Sequence, residues 1–406
     1  MDDTLISATT LSDSIKFPYT NLHKLVCSAS LQEFQHLHRL NTNVYTAFKS
    51  DSTPPVSDAT DTIHLSQNLF ATAAIADTGE VSLTERDNKN DILTQGQILQ
   101  APDAPKIIEC QKNEFSTLNE MDIMDIEPIA LLPPCARLLC SIWSYRRKRL
   151  PNGVLSKYKA RLCVNGKEQA FGRDYWEANA PVAAWSNIGL LLYLSTILNL
   201  HTRHVDYTSA FPQADLDVPV FMRVPQGWYI NAESTLMQHS NPKYQDKAHY
   251  LKLKKNLYGC KQAARNWFKK LSKGLIKQGF IQFKTGTCLF LCDDCVIVIY
   301  VDDCLFFYPK ATTIDYVIQN LSKTFKLKDE GDVSAFLGVQ ITKDPTKKTI
   351  TFTQPGLISQ IIKDVGITLS SKGKDTPSDS ILHYGKDGPS RVENWNYRSI
   401  LGKLNY

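Results

Sequence analysis

The chain has 406 residues, 43% of them hydrophobic and 21% charged, with a formal net charge of +5. That length can bury a large core and suggests two or three domains. Ten cysteines without zinc-ligand spacing, no signal peptide and no apolar run of membrane length argue against a secreted disulfide scaffold, a zinc module or a membrane span, and for a reduced, soluble, intracellular protein. The charge is uneven: residues 1–95 hold six Lys/Arg against twelve Asp/Glu, a net of −6, leaving +11 on the remainder. A basic body behind an acidic leader suits a partner rich in phosphate.

In chain order, residues 1–95 are rich in Ser, Thr, Asp and Asn, include Pro54-Pro55 and show little periodicity. They read as a disordered acidic leader with one short helix near 28–40. A helix is expected from Ala101-Pro102-Asp103 to Asn119-Glu120. The basic run Arg146-Arg147-Lys148-Arg149 has two readings, a nuclear-import signal or one limb of a hairpin turning at Pro151-Asn152-Gly153, and the second is preferred. A helix over 186–198 starts at Ser186 as N-cap. Val205 and Tyr207 then read as strand, with Asp206 near its end before the chain turns at Phe211-Pro212. Alone, Asp206 would pass for a turn-former or cap.

A second helix, over 263–279, carries Trp267, Leu271, Leu275 and Ile276 on one face, with Lys269, Lys270, Lys273 and Lys277 largely off it. Such a lysine face is solvated or faces phosphate. Cys292 and Cys295 form a C-x-x-C whose Asp293-Asp294 reads as a solvated turn between strands. Next comes Tyr300-Val301-Asp302-Asp303, a pair of carboxylates set in the most apolar stretch of the chain. Cys295–Ile299 leads in and Cys304–Tyr308 leads out, giving strand, tight turn, strand. Adjacent carboxylates away from water repel and resist ionising together, so a cation belongs on them. A hairpin tip of hard oxygen donors suits magnesium. With Asp206 on a neighbouring strand, the set has the composition of a two-metal phosphoryl-transfer site.

These residues, in this order, resemble the reverse transcriptase of copia-type long-terminal-repeat retrotransposons. The resemblance runs from about Thr94 to Tyr406 over successive blocks. They are Tyr158-Lys159-Ala160-Arg161-Leu162 with Gly166, Asp174-Tyr175 and Ala180–Ala183; Val205-Asp206 to Phe211 with Asp215-Leu216 and Val220–Trp228; Leu251–Ala263 leading to Trp267; the Tyr300–Asp303 hairpin; Phe336–Ile341; and Tyr397–Gly402. Two positions depart from the family pattern: Cys260 stands where leucine is usual, and Ala264 where proline is.

The resemblance implies an α+β right-hand polymerase fold, with fingers, palm and a partial thumb, and an antiparallel palm sheet backed by helices. Residues 1–95 would be the leader, 96–308 fingers and palm, and 309–406 the primer-grip region and an incomplete thumb. It implies RNA-directed DNA synthesis: two-metal nucleotidyl transfer from deoxynucleoside triphosphates to a primer 3′-hydroxyl on an RNA or DNA template. Asp206, Asp302 and Asp303 would be catalytic and metal-binding, with Mg2+ or Mn2+. Lys159, Arg161, Tyr207, Phe211, Tyr258 and Gly259 would form the nucleotide site. There Lys159 and Arg161 close over the triphosphate, Phe211 excludes a ribose 2′-hydroxyl, and the Tyr207 carbonyl is an extra metal ligand. Lys326 and Lys328 are candidates for the proton donor to pyrophosphate, with neither assigned.

Phe336–Ile341 reads as one strand and resembles part of the primer-gripping hairpin, and Thr351–Gln354 with a helix near 357–365 would open the thumb. The family pattern continues past Tyr406 toward a ribonuclease H domain, so a polyprotein fragment is expected, cytoplasmic in a virus-like particle or nuclear. The competing readings are a truncated, inactive relic that at most binds nucleic acid, and a DNA-templated repair polymerase. Ala76-Asp77-Thr78-Gly79 resembles the D-S/T-G of retroelement aspartic proteases, though a solvated turn is preferred for it.

Overall fold

The computed structural model describes residues 92–93, 95–98, 101–149, 155–284, 286–293, 295–368, 371 and 396–405. The leader expectations, the Ala76–Gly79 string, the Pro151-Asn152-Gly153 turn and Asp294 lie outside the described residues. The architecture is mixed α and β, with antiparallel sheets carrying most of it.

A long hairpin pairs β4 (Ser141–Arg149) with β5 (Leu155–Val164), and β1 (Ile92–Leu93) adds to the outer edge of β4. Helix α1 (Ala104–Glu120) packs across β5, and Pro105 in its first turn suits a position where no backbone N–H is needed. Its Phe115 meets Trp143 at 5.2 Å and Trp228 at 4.4 Å, both edge-to-face, in the centre of one hydrophobic core. That core also holds the second sheet, ordered β2 (Met124–Pro128), β10 (His249–Lys255), β7 (Asp215–Arg223), β3 (Leu138–Leu139). Only β3 runs parallel to its neighbour there. A small hairpin, β8 (Trp228–Ile230) with β9 (Leu236–Gln238), hangs from it.

The third sheet has six antiparallel strands: β11 (Ile281–Gln282), β12 (Leu289–Cys292), β13 (Cys295–Tyr300), β14 (Asp303–Tyr308), β6 (His201–Asp206) and β15 (Lys328–Gly331). One face is covered by α3 (Ala263–Lys277) and α4 (Ala311–Ser322), through Trp267, Leu271, Leu275, Ile314 and Leu321. The other is covered by α2 (Trp185–Ile197) and by Phe336 and Ile341. With both faces dry, residues of both parities are buried: Val296 to Ile299 are at most 1% exposed and Cys304 to Phe307 are 0%. This explains why the sequence there is a continuous apolar run rather than an alternating one.

Three local expectations are corrected. Helix α2 begins at Trp185 after Ala184, so Ser186 lies inside its first turn and caps nothing. Ile276 is 51% exposed and is not part of the buried face of α3, which is Trp267, Leu271 and Leu275. Beyond α4, β16 (Ala335–Phe336) turns through Leu337-Gly338 into β17 (Val339–Asp344), so Phe336–Ile341 is a hairpin rather than one strand. β18 (Thr349–Thr353) pairs with β17, and α5 (Pro355–Val365) packs with α6 (Tyr397–Leu404). Among the described residues no helix is long and apolar enough to cross a membrane.

Candidate active site

The β13–β14 hairpin turns on Val301 and Asp302. Val301 adopts φ +56°, a left-handed conformation that a β-branched residue rarely takes. Two bonds hold it there. The Trp267 indole N–H donates to the Val301 carbonyl at 2.6 Å, and the Tyr207 N–H donates to the Asp302 carbonyl at 2.8 Å. The strained tip is thus fixed by a buried helix residue and by the chain just past β6, as expected where the surroundings over-determine a backbone.

Strand register brings the aspartates together. Asp303 lies opposite Asp206 across the β14–β6 pair, and on the other side of β6 Lys328 lies opposite the same Asp206. Residues opposite one another in antiparallel strands share a face, with Cβ atoms about 4.5–5.5 Å apart. The row Asp303, Asp206, Lys328 therefore crosses three strands at one end of the sheet, with Asp302 at the adjoining tip. Among the described residues no group of three or more His, Cys, Asp or Glu side chains is gathered so as to hold a metal ion as it stands.

One reason is visible. The Asp303 carboxylate is turned to His204, whose Nε2 lies 2.7 Å from Oδ1. Burial works against the charged form of His204, but the bond to Asp303 and the charges of Asp303, Glu330 and Asp206 outweigh it and raise its pKa. His204 sits two residues before Asp206 on one strand, so alternation puts it on the same face; the H-x-D spacing was the overlooked signal. Phe336 stands edge-on to both His204 and Tyr300, at 5.6 and 6.3 Å, and closes this flank. The Lys328 ammonium is held by Glu330 at 2.7 Å; that bond first, and the charges of Glu330 and Asp206, raise its pKa.

The remaining candidate residues gather along the free edge of β5. Its Leu162 N–H donates to Glu114 of α1 at 3.3 Å, and its Val164 N–H donates to the Tyr258 carbonyl at 2.8 Å. The Arg161 guanidinium lies over the Tyr258 ring, 4.6 Å from its centroid, and the Phe211 ring is 5.8 Å from the same ring. Burial pushes the Tyr258 phenol up to about 12, with the Arg161 charge opposing. Lys159 is two residues before Arg161 on the same strand, opposite Arg146. Arg161, Tyr258 and Phe211 thus form a line from the hairpin toward the turn after β6. Phe211 is half-buried and packs against two cores.

Gly259 and Gly166, from separate sequence blocks, meet backbone to backbone. A Cβ on Gly166 would lie 2.1 Å from the Gly259 carbonyl oxygen, and one on Gly259, whose φ is +88°, would lie 2.1 Å from that of Val164. Only glycine allows this approach. Tyr207 is placed differently from the other nucleotide-site candidates. Its ring is 1% exposed, edge-to-face with Trp267 and Phe325 at 5.2 and 5.7 Å, and so belongs to the core. Only its backbone faces the aspartates.

A family model described as reverse transcriptase (RNA-dependent DNA polymerase) matches residues 128–379. The chain belongs to that family. Among similar proteins, the retrovirus-related Pol polyprotein from transposon TNT 1-94 of Nicotiana tabacum is 26% identical over 322 residues, 76% of this chain and 23% of that protein. The corresponding polyprotein from transposon RE1 of Arabidopsis thaliana is 30% identical over 65% of this chain and 17% of its own length. The transposon Ty1-DR1 Gag-Pol polyprotein of Saccharomyces cerevisiae is 26% identical over 66% and 15%. The chain thus spans less than a quarter of the Pol polyproteins it matches. The resemblance to copia-type elements is borne out by these relatives.

Proposed function

We propose that this chain is the polymerase portion of a copia-type element and extends a primer 3′-hydroxyl by one deoxynucleotide per cycle on an RNA or DNA template, releasing pyrophosphate. The observation that carries this reading is the row of Asp303, Asp206 and Lys328 across three strands, with Asp302 at the strained tip beside it. In right-hand terms the six-stranded sheet with α3 and α4 is the palm and the β4–β5 hairpin the fingers. The β16–β17 hairpin is the primer grip, and α5 and α6 open the thumb.

The carboxylates are all hard oxygen donors, which fits magnesium, with manganese as substitute. Asp206 and Asp302 would hold it, Asp303 would support them, and the Tyr207 carbonyl would complete the set. Held there, such ions would lower the pKa of the attacking hydroxyl and offset the triphosphate charge. Lys159 and Arg161 orient the triphosphate, the guanidinium through its paired donors. Phe211, beside Tyr258, fills the space of a ribose 2′-hydroxyl. Of the two lysines considered as proton donor to pyrophosphate, Lys328 shares the row of Asp206. Lys326 is instead held by its backbone, which exchanges two hydrogen bonds with the Gln213 amide at 2.8 and 2.9 Å.

Primer extension on an RNA template with magnesium and the four deoxynucleotides tests the reading. Extension that Asp302→Asn abolishes while the fold persists supports it. A folded wild-type chain inactive on every RNA- and DNA-primed template identifies a relic.

A further inference from the structure

We propose that Glu114 of α1 is a positioning residue for Arg161: its carboxylate is the countercharge that keeps the guanidinium against Tyr258 while no nucleotide is bound, and the triphosphate displaces it. This rests on the polymerase reading above, in which Lys159 and Arg161 take the triphosphate. Glu114 lies outside every sequence block that suggested the nucleotide site.

Its place in the helix is unusual for an acid. By helical spacing Glu114 shares a row with Ile107, Gln111 and Leu118, all buried, while Lys112 and Asn113 beside it are exposed. A carboxylate in such a row loses hydration and needs compensation from the protein. Its Oε1 accepts from the Leu162 N–H at 3.3 Å, a long bond. Burial, the largest influence, pushes the Glu114 carboxyl above its ordinary pKa, and the Leu162 N–H and the charges of Arg161 and Lys159 oppose it only in part.

The position of that N–H shows where the charge is aimed. β5 is the edge strand of its sheet, and the N–H groups on the free edge of a strand alternate along it. Leu162 gives its N–H to Glu114, and Val164, the next one out, gives its own to the Tyr258 carbonyl at 2.8 Å. Glu114 and Tyr258 are thus neighbours on one strand edge. Arg161, whose guanidinium lies 4.6 Å over the Tyr258 ring, is the residue immediately before Leu162. The Glu114 charge acts on Lys159, Arg161 and Cys163 of β5 and on Tyr258 of the loop before α3.

Capping a strand edge requires no charge, because a neutral amide accepts from the Leu162 N–H equally well. The anion is accounted for by the cations it faces. A triphosphate competes for the same guanidinium, so Glu114 weakens ground-state binding while keeping Arg161 aligned for the transition state.

The test compares wild type, Glu114→Gln, Arg161→Gln and the double variant on a primed RNA template. Two quantities are read: affinity for the next deoxynucleotide on a chain-terminated primer, and KM and kcat for single-nucleotide extension. Gln keeps the acceptor for Leu162 and removes only the charge. Glu114→Gln should tighten nucleotide affinity and lower KM by about tenfold, the scale of one charge a few ångströms from another at an effective dielectric of roughly 20. It should lower kcat too, the pattern of a removed ground-state restraint. In the Arg161→Gln background the effect on affinity should shrink severalfold, since no guanidinium is left to hold. An effect of equal size in both backgrounds would make Glu114 a general repellent of triphosphate and overturn its action through Arg161. Unchanged affinity, KM and kcat in Glu114→Gln would make the residue a cap of the β5 edge, overturning the proposal and leaving the polymerase reading standing. Should Glu114→Gln not fold, Glu114→Asp withdraws the same charge: a smaller fall in KM supports the proposal, and wild-type values overturn it. A wild type that extends no primer overturns the polymerase reading, and this proposal with it.

Discussion

Asp303 shows how one side chain can be shared between structure and chemistry. Its register places it beside Asp206, yet its carboxylate is bonded to His204. A carboxylate tethered in this way can accompany a metal-binding pair without being its main ligand. Asp302, at the tip fixed by Tyr207 and Trp267, is the carboxylate proposed to share the metal with Asp206. Asp302→Asn should therefore abolish primer extension, while Asp303→Asn should leave a measurable residual rate in the same assay.

Phe211 is the second residue whose role can be isolated. Half-buried between two cores and 5.8 Å from Tyr258, it packs against both and is the residue proposed as the sugar gate. Phe211→Val keeps some of that packing, and should cost about 1–2 kcal/mol, less than the 3–5 typical of a fully buried Phe→Ala. Ribonucleotide incorporation should rise relative to deoxynucleotide in single-turnover assays. An unchanged ratio in a folded protein would make the ring packing alone. Lys328→Ala should lower kcat in primer extension, because Lys328 lies opposite Asp206 in the strand register, although Glu330 holds its exposed ammonium.

At the scale of elements, the two glycine blocks make one joint. Gly166→Ala or Gly259→Ala places a methyl on backbone that cannot move aside. Each should cost at least about 2 kcal/mol, given that clash and, at Gly259, the positive φ. The double variant should cost less than the sum, since the two clashes, Gly166 on Gly259 and Gly259 on Val164, force apart the same stretch of backbone. Thermal unfolding of the four proteins checks this. The start of α1 is tied to β4 by a forked ion pair, Arg147 to both oxygens of Asp103 at 2.7 Å. The Arg147 hydrogen bond, first among its causes, lowers the Asp103 pKa to about 2. A carboxyl depressed in the folded state stabilises above its unfolded pKa and loses that contribution as pH falls through the folded value. Asp103→Asn should therefore cost about 1 kcal/mol at pH 7, discounted for a screened surface pair. The difference from wild type should shrink between about pH 4 and pH 2 in urea unfolding.

Much of this was legible in the sequence where local pattern and burial agree. The continuous apolar runs around Asp302 gave both strands of the hairpin, and Phe211-Pro212 marked the turn after β6. Ser186 misled because a capping side chain was expected where the helix starts at Trp185 without one, the N-cap being Ala184, and the mostly apolar α2 offers little polar pattern to fix its start. The aspartate row was named residue by residue, but its register with Lys328 arises from a pairing more than 120 residues apart in the chain, which no local pattern encodes. Tyr207 was assigned to the nucleotide site through its neighbour Asp206; strand alternation sends its ring the opposite way, into the core.

For the whole molecule, the active end is a surface feature resting on cores that do not depend on it. Chelation of divalent ions should abolish extension and leave the unfolding temperature of the free protein essentially unchanged, as measured by circular dichroism with and without chelator. A large fall would mean that metal is part of the fold, not only of the reaction.

The position of β6 has a consequence for how the protein is made. This strand, holding Asp206, lies between β14 and β15, whose residues are joined to the chain about a hundred or more positions later. On a ribosome adding roughly 5–20 residues per second, β6 emerges and waits several seconds or more with both edges unpaired. Only after residue 331 has cleared the exit tunnel can Asp206 acquire both neighbours. A nascent chain therefore carries no complete active end until synthesis has passed that point. During the wait its bare strand edges are what a chaperone, or another nascent chain on the same message, would encounter first.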